Sequence, residues 1–215
     1  MRGVFVTGTD TGVGKTITSA LLISALKKSG LPAKYFKPIQ TGLDDDTETL
    51  KSLTESQCLE TVYKFRDPIS PNRAAALANV VIELQKIKSA IPSGGKDFFV
   101  VEGAGGLMVP LNKHENIRDL IKLLDLPLVI VASTRLGTIN HTLLTLECAR
   151  IKNISIKGVI LVGPEDPGLK ETIEGLGDIP ILTEIPTLNI SPKEIQSQGA
   201  KLFSERNLFQ IFGAW

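Results

Sequence analysis

Lys15 and Thr16 close a glycine-rich stretch, Gly8-Thr9-Asp10-Thr11-Gly12-Val13-Gly14, and residues of these types in this order suit one kind of chemistry. Backbone N–H groups in such a turn, together with the positive end of a helix that follows it, converge on a polyphosphate. Lys15 is then placed to neutralise charge on the terminal phosphates, and the Thr16 hydroxyl to bind a magnesium ion bridging them. Five residues separate Gly8 from Gly14, one more than in the common pattern. A second signal is Glu102, a carboxylate ending the apolar run Asp97-Phe-Phe-Val-Val-Glu102 just before Gly103-Ala-Gly-Gly106. At a strand's carboxyl end such a group can face metal-bound water or phosphate, whereas burial without a partner costs several kcal/mol. Its bland alternative is a turn cap. A third is Lys37-Pro-Ile-Gln-Thr-Gly42, followed by Asp44, Asp45 and Asp46, whose bland alternative is a solvated turn with one Asp capping the next helix.

The elements that must position these groups are legible as alternating periods. Val4-Phe5-Val6 reads as a buried strand and residues 16–28 as a helix, stopped by Gly30 and Pro32. Ala33 to Lys37 reads as a second strand, 47–57 as a helix, and Phe65 to Pro71 as a proline-punctuated loop. Apolar residues from Ala74 to Ile91 fall on one helical stripe, predicting a single helix over 73–91. A helix over 117–124 with Asn116 as N-cap precedes Pro127-Leu-Val-Ile-Val-Ala132, the most apolar strand. Ser133 to His141 lead into a helix ending near Ile151; strands follow at 157–163 and 179–182. A last helix over 192–205 is expected to be packed down by Phe203, Leu208, Phe209, Phe212 and Trp215. Strands alternating with helices predict an α/β fold, doubly wound and mostly parallel, as a single domain over 1–215. His141 reads as a hydrogen-bonding group on a helix face and His114 as solvated.

Composition narrows the partners. Lys and Arg number 24 against 23 Asp and Glu, so a net charge of +1 gives no electrostatic case for nucleic acid or an anionic membrane. Cys58 and Cys148 are too few and too far apart for a disulfide scaffold or a cysteine zinc site. No apolar run approaches the roughly 18 residues of a membrane span, and no secretory signal is read at the first strand, so the cytoplasm is the expected location.

Taken together, Val6-Thr-Gly-Thr-Asp-Thr-Gly-Val-Gly-Lys-Thr16, Lys37-Pro-Ile-Gln-Thr-Gly42, Val101-Glu-Gly-Ala-Gly-Gly106 with Pro110-Leu111, and Leu136-Gly-Thr-Ile-Asn-His141 resemble dethiobiotin synthetase, a P-loop family of biotin biosynthesis. The resemblance implies ATP-dependent ring closure on 7,8-diaminononanoate with CO2 or bicarbonate, through a carbamate and its mixed anhydride with phosphate. It implies Lys15, Lys37 and Thr11 in catalysis, and Asp10, Thr11, Gly12, Val13, Gly14, Lys15, Thr16, Thr183, Glu184 and Pro186 at the nucleotide. Mg2+ is expected on Thr16, Asp46 and Glu102; Asp46 best matches the family position, with Asp44 and Asp45 as alternatives. The substrate is expected at Thr41, Ser70 and Pro71, and, from the second copy in a homodimer, at Gly137, Thr138 and Asn140.

Two departures from the family pattern stand out. Gly12 occupies a position where some members carry an acidic residue, and Val162-Gly163 stand where an adenine-reading Asn is often found. ATP is the expected nucleotide, with GTP or CTP as alternatives. The rival reading is a partitioning or division-site ATPase switch, which usually places a second lysine where Asp10 stands. A glutamine-dependent amide ligase would need an amidotransferase region with a catalytic cysteine, for which the chain has no room. A metal-insertion chaperone would need a Cys/His ligand cluster that the sequence does not form.

Overall fold

The computed structural model describes residues 1–213, so Trp215, expected to pack against the last helix, lies outside the described residues. The chain begins with β1 (Arg2–Gly8), α1 (Lys15–Lys28), β2 (Ala33–Phe36), β3 (Ile39–Thr41), α2 (Asp46–Thr54) and β4 (Tyr63–Phe65). It continues through α3 (Pro71–Leu77), α4 (Leu84–Ser89), β5 (Phe98–Glu102), α5 (Ile117–Leu124) and β6 (Leu128–Ser133). Then come α6 (Thr138–Ile151), β7 (Ile156–Val162), α7 (Pro167–Gly177), β8 (Ile181–Ile185), α8 (Pro192–Leu202) and α9 (Glu205–Phe212).

Among the described residues the main sheet has six strands in the order β2-β5-β1-β6-β7-β8, and every pairing in it is parallel. Strands that read as unbroken apolar runs require cover on both faces, and helices supply it. Because strand side chains alternate, Val4, Val6, Tyr35 and Val100 pack with Leu21 of α1, Leu50 of α2, Ile195 of α8 and Leu208 of α9. Phe5, Phe36, Val101 and Ile130 pack with residues of α3 to α7, including Ala74, Ile87, Leu120, Leu146 and Ile173. The same alternation directs Tyr35 and Lys37 to one side of the sheet, the side that Val100 and Glu102 also face. The doubly wound α/β expectation is met; in addition β3, within a stretch expected as loop, pairs in parallel with β4.

Two predicted helices are each divided. The expected helix over 73–91 is α3 and α4, because Asn79 takes a left-handed φ of 53° and the chain runs extended before α4. Val80 and Val81, which lose side-chain freedom in a helix, sit at the break, and Leu77, Val80 and Val81 stay exposed. Tyr63 accepts the Glu83 N–H at 2.9 Å, fixing the restart. The expected helix over 192–205 ends at Leu202, after which the Ser204 side chain accepts from Asn207 N and starts α9. Phe203 and Leu208 are buried, Phe212 meets Phe98 edge-on, and Phe209 is 57% exposed. The Asn116 cap is present as a full capping box with Asp119.

Candidate active site

The loop between β1 and α1 sits at the carboxyl end of a central strand, where the connections depart to opposite sides of the sheet. Two of its glycines, Gly8 and Gly14, are dictated by space. A Cβ on Gly8 would come within 2.8 Å of Val13 and 3.0 Å of the Lys15 ammonium, so Gly8 is what lets the lysine fold back. Gly14 caps α1 at a φ of 97°, and a Cβ there would meet Val162 at 3.0 Å. The turn after β5 is tied to this loop, since Gly8 N donates to Gly105 O at 3.3 Å.

Glu102 is 0% exposed and fully bonded. Its Oε1 receives Lys37 Nζ at 2.9 Å and lies 3.0 Å from Thr16 Oγ1; its Oε2 lies 2.9 Å from both Ser19 Oγ and the Tyr35 hydroxyl. Asp46 completes the group, with Oδ1 2.9 Å from Thr16 Oγ1 and Oδ2 2.6 Å from Lys37 Nζ. Thr16 has one hydroxyl proton and two carboxylates to give it to. The aspartate trio is sorted by this geometry: Asp45 caps α2 by accepting from Thr47 N and Glu48 N, and pairs with Lys64 at 2.6 Å. Asp46, one residue on, turns inward, while Asp44 is exposed.

The two lysines are in different electrostatic situations. Burial, then the neighbouring Lys37 charge, lower the pKa of Lys15, against the pull of Glu102, Asp46 and Asp10. For Lys37 burial acts downward too, but Glu102 and Asp46 outweigh it, and its pKa is raised. Lys15 Nζ also donates to the Asp10 carbonyl at 3.0 Å. Two cations and two carboxylates thus meet in a largely buried spot, an arrangement with strong local fields and donors preset for anionic oxygens.

A cavity of about 540 Å³ opens over this group. Thr11, Gly12, Gly14, Lys15, Thr16, Lys37, Thr41, Asp46, Ser70, Pro71 and Glu102 all line it, so the structure brings these sequence-predicted residues together. Its remaining wall is mostly apolar, with Ile39, Pro68, Ile69 and Val109. Asp10 lines a neighbouring cavity of about 530 Å³ with Thr11, Met108, His141 and Cys148. Val13 is buried beneath the loop. Gly137, Thr138 and Asn140 lie at the start of α6, outside the first cavity, and Thr183, Glu184 and Pro186 lie on and after β8, where Glu184 pairs with Lys170 at 3.6 Å. Ser19 and Tyr35 were missed by the sequence reading; a polar hydroxyl four residues beyond Lys15 and a tyrosine two residues before Lys37 were the signals available.

A family model described as an AAA domain matches residues 2–194. Among curated proteins, the chain is 35% identical over 212 residues to an ATP-dependent dethiobiotin synthetase of Agrobacterium fabrum, covering 96% of each. With the one from Novosphingobium aromaticivorans it shares 42% identity over 193 residues, 87% of this chain and 89% of that protein. It is also 41% identical to a biotin biosynthesis bifunctional protein of Bordetella avium, over 95% of this chain but only 43% of that longer protein. Among solved structures, a ParA family ATPase from Chlorobium tepidum aligns with a TM-score of 0.58 at 16% identity, over 99% and 98% of the two chains. The septum site-determining protein MinD from Pyrococcus horikoshii aligns at 0.61 and 16%, over 98% and 92%. These two likenesses speak for the fold alone. The near-full-length identity to synthetases, carried on a fold whose phosphate-type loop meets Lys37, Asp46 and Glu102, places the chain in the ATP-dependent dethiobiotin synthetase family.

Proposed function

We propose that this chain carries out its family's reaction, the ATP-dependent closure of a ureido ring on 7,8-diaminononanoate with CO2, as a ligase of biotin biosynthesis. The observation that supports it best is a single cavity lined both by Lys15, Lys37, Asp46 and Glu102 and by the apolar Ile39, Pro68, Ile69 and Val109. An anionic phosphoryl-transfer centre and an aliphatic chain need charged and apolar lining in one space.

One substrate amine adds to CO2, forming an N–C bond and releasing a proton, and the carbamate oxygen then attacks the γ-phosphorus as the bond to the ADP oxygen breaks. The second amine attacks the carbonyl carbon of the resulting anhydride and gives up a proton; the C–O bond to phosphate breaks, phosphate leaves and the ring closes. Lys15 and Lys37 offset the negative charge gathering between carbamate and γ-phosphate. Thr11 and Thr41, both in the cavity lining, hold that region, and the apolar residues with Ser70 and Pro71 orient the carbon chain. The loop from Asp10 to Thr16 holds the phosphates, with Thr183, Glu184 and Pro186 toward the base.

Thr16, Asp46 and Glu102 form a hard oxygen donor set around one hydroxyl, and the residues fit Mg2+, which is held by one or two carboxylates plus phosphate oxygens and water. Bound there, the ion supplies charge neutralisation on the β- and γ-phosphates. Among the described residues no cluster of three or more His, Cys, Asp or Glu offers a metal site elsewhere.

The proposed working unit is a homodimer in which Gly137, Thr138 and Asn140 of one copy meet the substrate carboxylate in the site of the other. What supports this is that these residues open α6 away from the first cavity, beside the exposed apolar Leu136 and Ile139. For the base, Val162 presents only hydrocarbon against Gly14, and ATP is proposed with GTP and CTP as the alternatives.

The test is phosphate release with 7,8-diaminononanoate, bicarbonate, Mg2+ and, separately, ATP, GTP and CTP at equal subsaturating concentration. Release that requires both diamine and bicarbonate supports the reading and ranks the nucleotides. Release indifferent to the diamine with every nucleotide sinks it and favours the switch-type ATPase.

A further inference from the structure

Four donors surround the Glu102 carboxylate, and they divide by side. Thr16 and Lys37 lie against Oε1, on the cavity side; Ser19 and Tyr35 lie against Oε2, on the core side. A carboxylate is planar, so fixing Oε2 fixes where Oε1 points. The two core-side donors are not equivalent. Ser19 Oγ has one proton and lies 2.9 Å from both Glu102 Oε2 and the Lys15 carbonyl, so it can serve either. Tyr35 has a single use for its hydroxyl: among the described residues Glu102 is its hydrogen-bond partner, at 2.9 Å, and the ring is 0% exposed in β2.

A phenylalanine would fill that core position with the same ring and no buried hydroxyl to satisfy, so packing alone does not call for tyrosine. Tyr35 and Lys37 stand two residues apart on one side of the sheet and reach opposite oxygens of the same carboxylate. We propose that Tyr35, seconded by Ser19, is a positioning residue that holds Glu102 with Oε1 turned to Thr16 and Lys37 for magnesium. This rests on the reading of Glu102 as a magnesium ligand. Groups that orient a ligand from behind commonly carry about a 10- to 100-fold share of metal affinity or activity.

The test compares wild type, Tyr35→Phe, Ser19→Ala and Glu102→Gln, each saturated with ADP. Mn2+ binding is followed by electron paramagnetic resonance, and ADP affinity is measured separately in EDTA. Tyr35→Phe is expected to raise the Mn2+ Kd about 10-fold while ADP affinity in EDTA stays within about twofold of wild type. If Glu102→Gln weakens Mn2+ binding and Tyr35→Phe does not, the positioning role is overturned and the Glu102 reading stands. If Glu102→Gln binds Mn2+ as wild type does, the Glu102 reading falls and the proposal with it. Should Tyr35→Phe fail to fold, Ser19→Ala decides: weakened Mn2+ binding supports the proposal, and wild-type binding overturns it.

Discussion

The Lys37 ammonium lies 2.6 Å from Asp46 Oδ2, joining the first residue of α2 to the segment that follows β2. The same ammonium reaches Glu102, so one lysine neutralises two carboxylates that would otherwise repel each other. Lys37→Ala is therefore expected to act twice. Phosphate release in a single turnover should fall on the order of 10²-fold, because a preset cation facing developing charge is lost. Thermal stability should fall as well, by about 3 kcal/mol, because Glu102 keeps its burial and loses its counter-charge. Unchanged stability would mean that the carboxylates find another partner.

Asp45 and Asp46 are adjacent and should separate cleanly on substitution. Asp45→Ala removes the α2 cap and the Lys64 pair and should cost about 1 kcal/mol in urea unfolding, with little change in turnover. Asp46→Asn should abolish most diamine-dependent phosphate release with a smaller effect on unfolding. The reverse pattern would assign the site carboxylate to Asp45.

Asp45 also predicts a pH dependence. Partial burial pushes its pKa up, but the Lys64 ammonium and the N–H groups of Glu48 and Thr47 outweigh that and hold it below 3.8. A carboxylate with a lowered folded pKa contributes stability that is present above its unfolded value and lost as pH falls through the folded one. The stability gap between wild type and Asp45→Ala should thus narrow as pH falls below 3.8, measured by unfolding at a series of acid pH values.

Cys58 should be a sluggish thiol. Burial pushes its pKa up to about 11, with Lys51 only partly opposing. Iodoacetamide should modify it slowly at pH 8, with the rate still climbing above pH 10. Its raised folded value also means that its contribution to stability is fully present below 9.0 and is lost as pH rises toward about 11. Fast labelling at pH 8 in the folded protein would show that the thiol is not buried as described.

Gly14→Ala should be severe. Its φ of 97° is strained for any side chain, and the added methyl would press on Val162 at 3.0 Å. A loss above 1 kcal/mol in stability and a large loss of ATP binding by calorimetry are expected. A paired Val162→Ala should relieve the contact and leave the dihedral strain, so rescue should be partial.

Much of this protein was decided by interactions a few residues long, and these were legible directly. The turn from Gly8 to Thr16, the Asn116 cap and the apolar runs of β1, β5 and β6 carry their signals in adjacent or helically spaced residues. The tertiary structure decided what needs partners distant in the chain. Tyr35 and Ser19 meet Glu102 across 67 and 83 residues, and that meeting depends on β5 lying between β2 and β1, an order no period in the sequence encodes. The apolar stripe from Ala74 to Ile91 failed for the same reason: the repeat continued through residues 79–83, but a left-handed Asn79 and the Tyr63 hydroxyl on Glu83 ended the helix. Asp46 turned inward rather than Asp45 because capping claimed one carboxylate and Lys37, anchored beyond β2, attracted the next. Local chemistry chose which groups were available, and strand order chose which of them met.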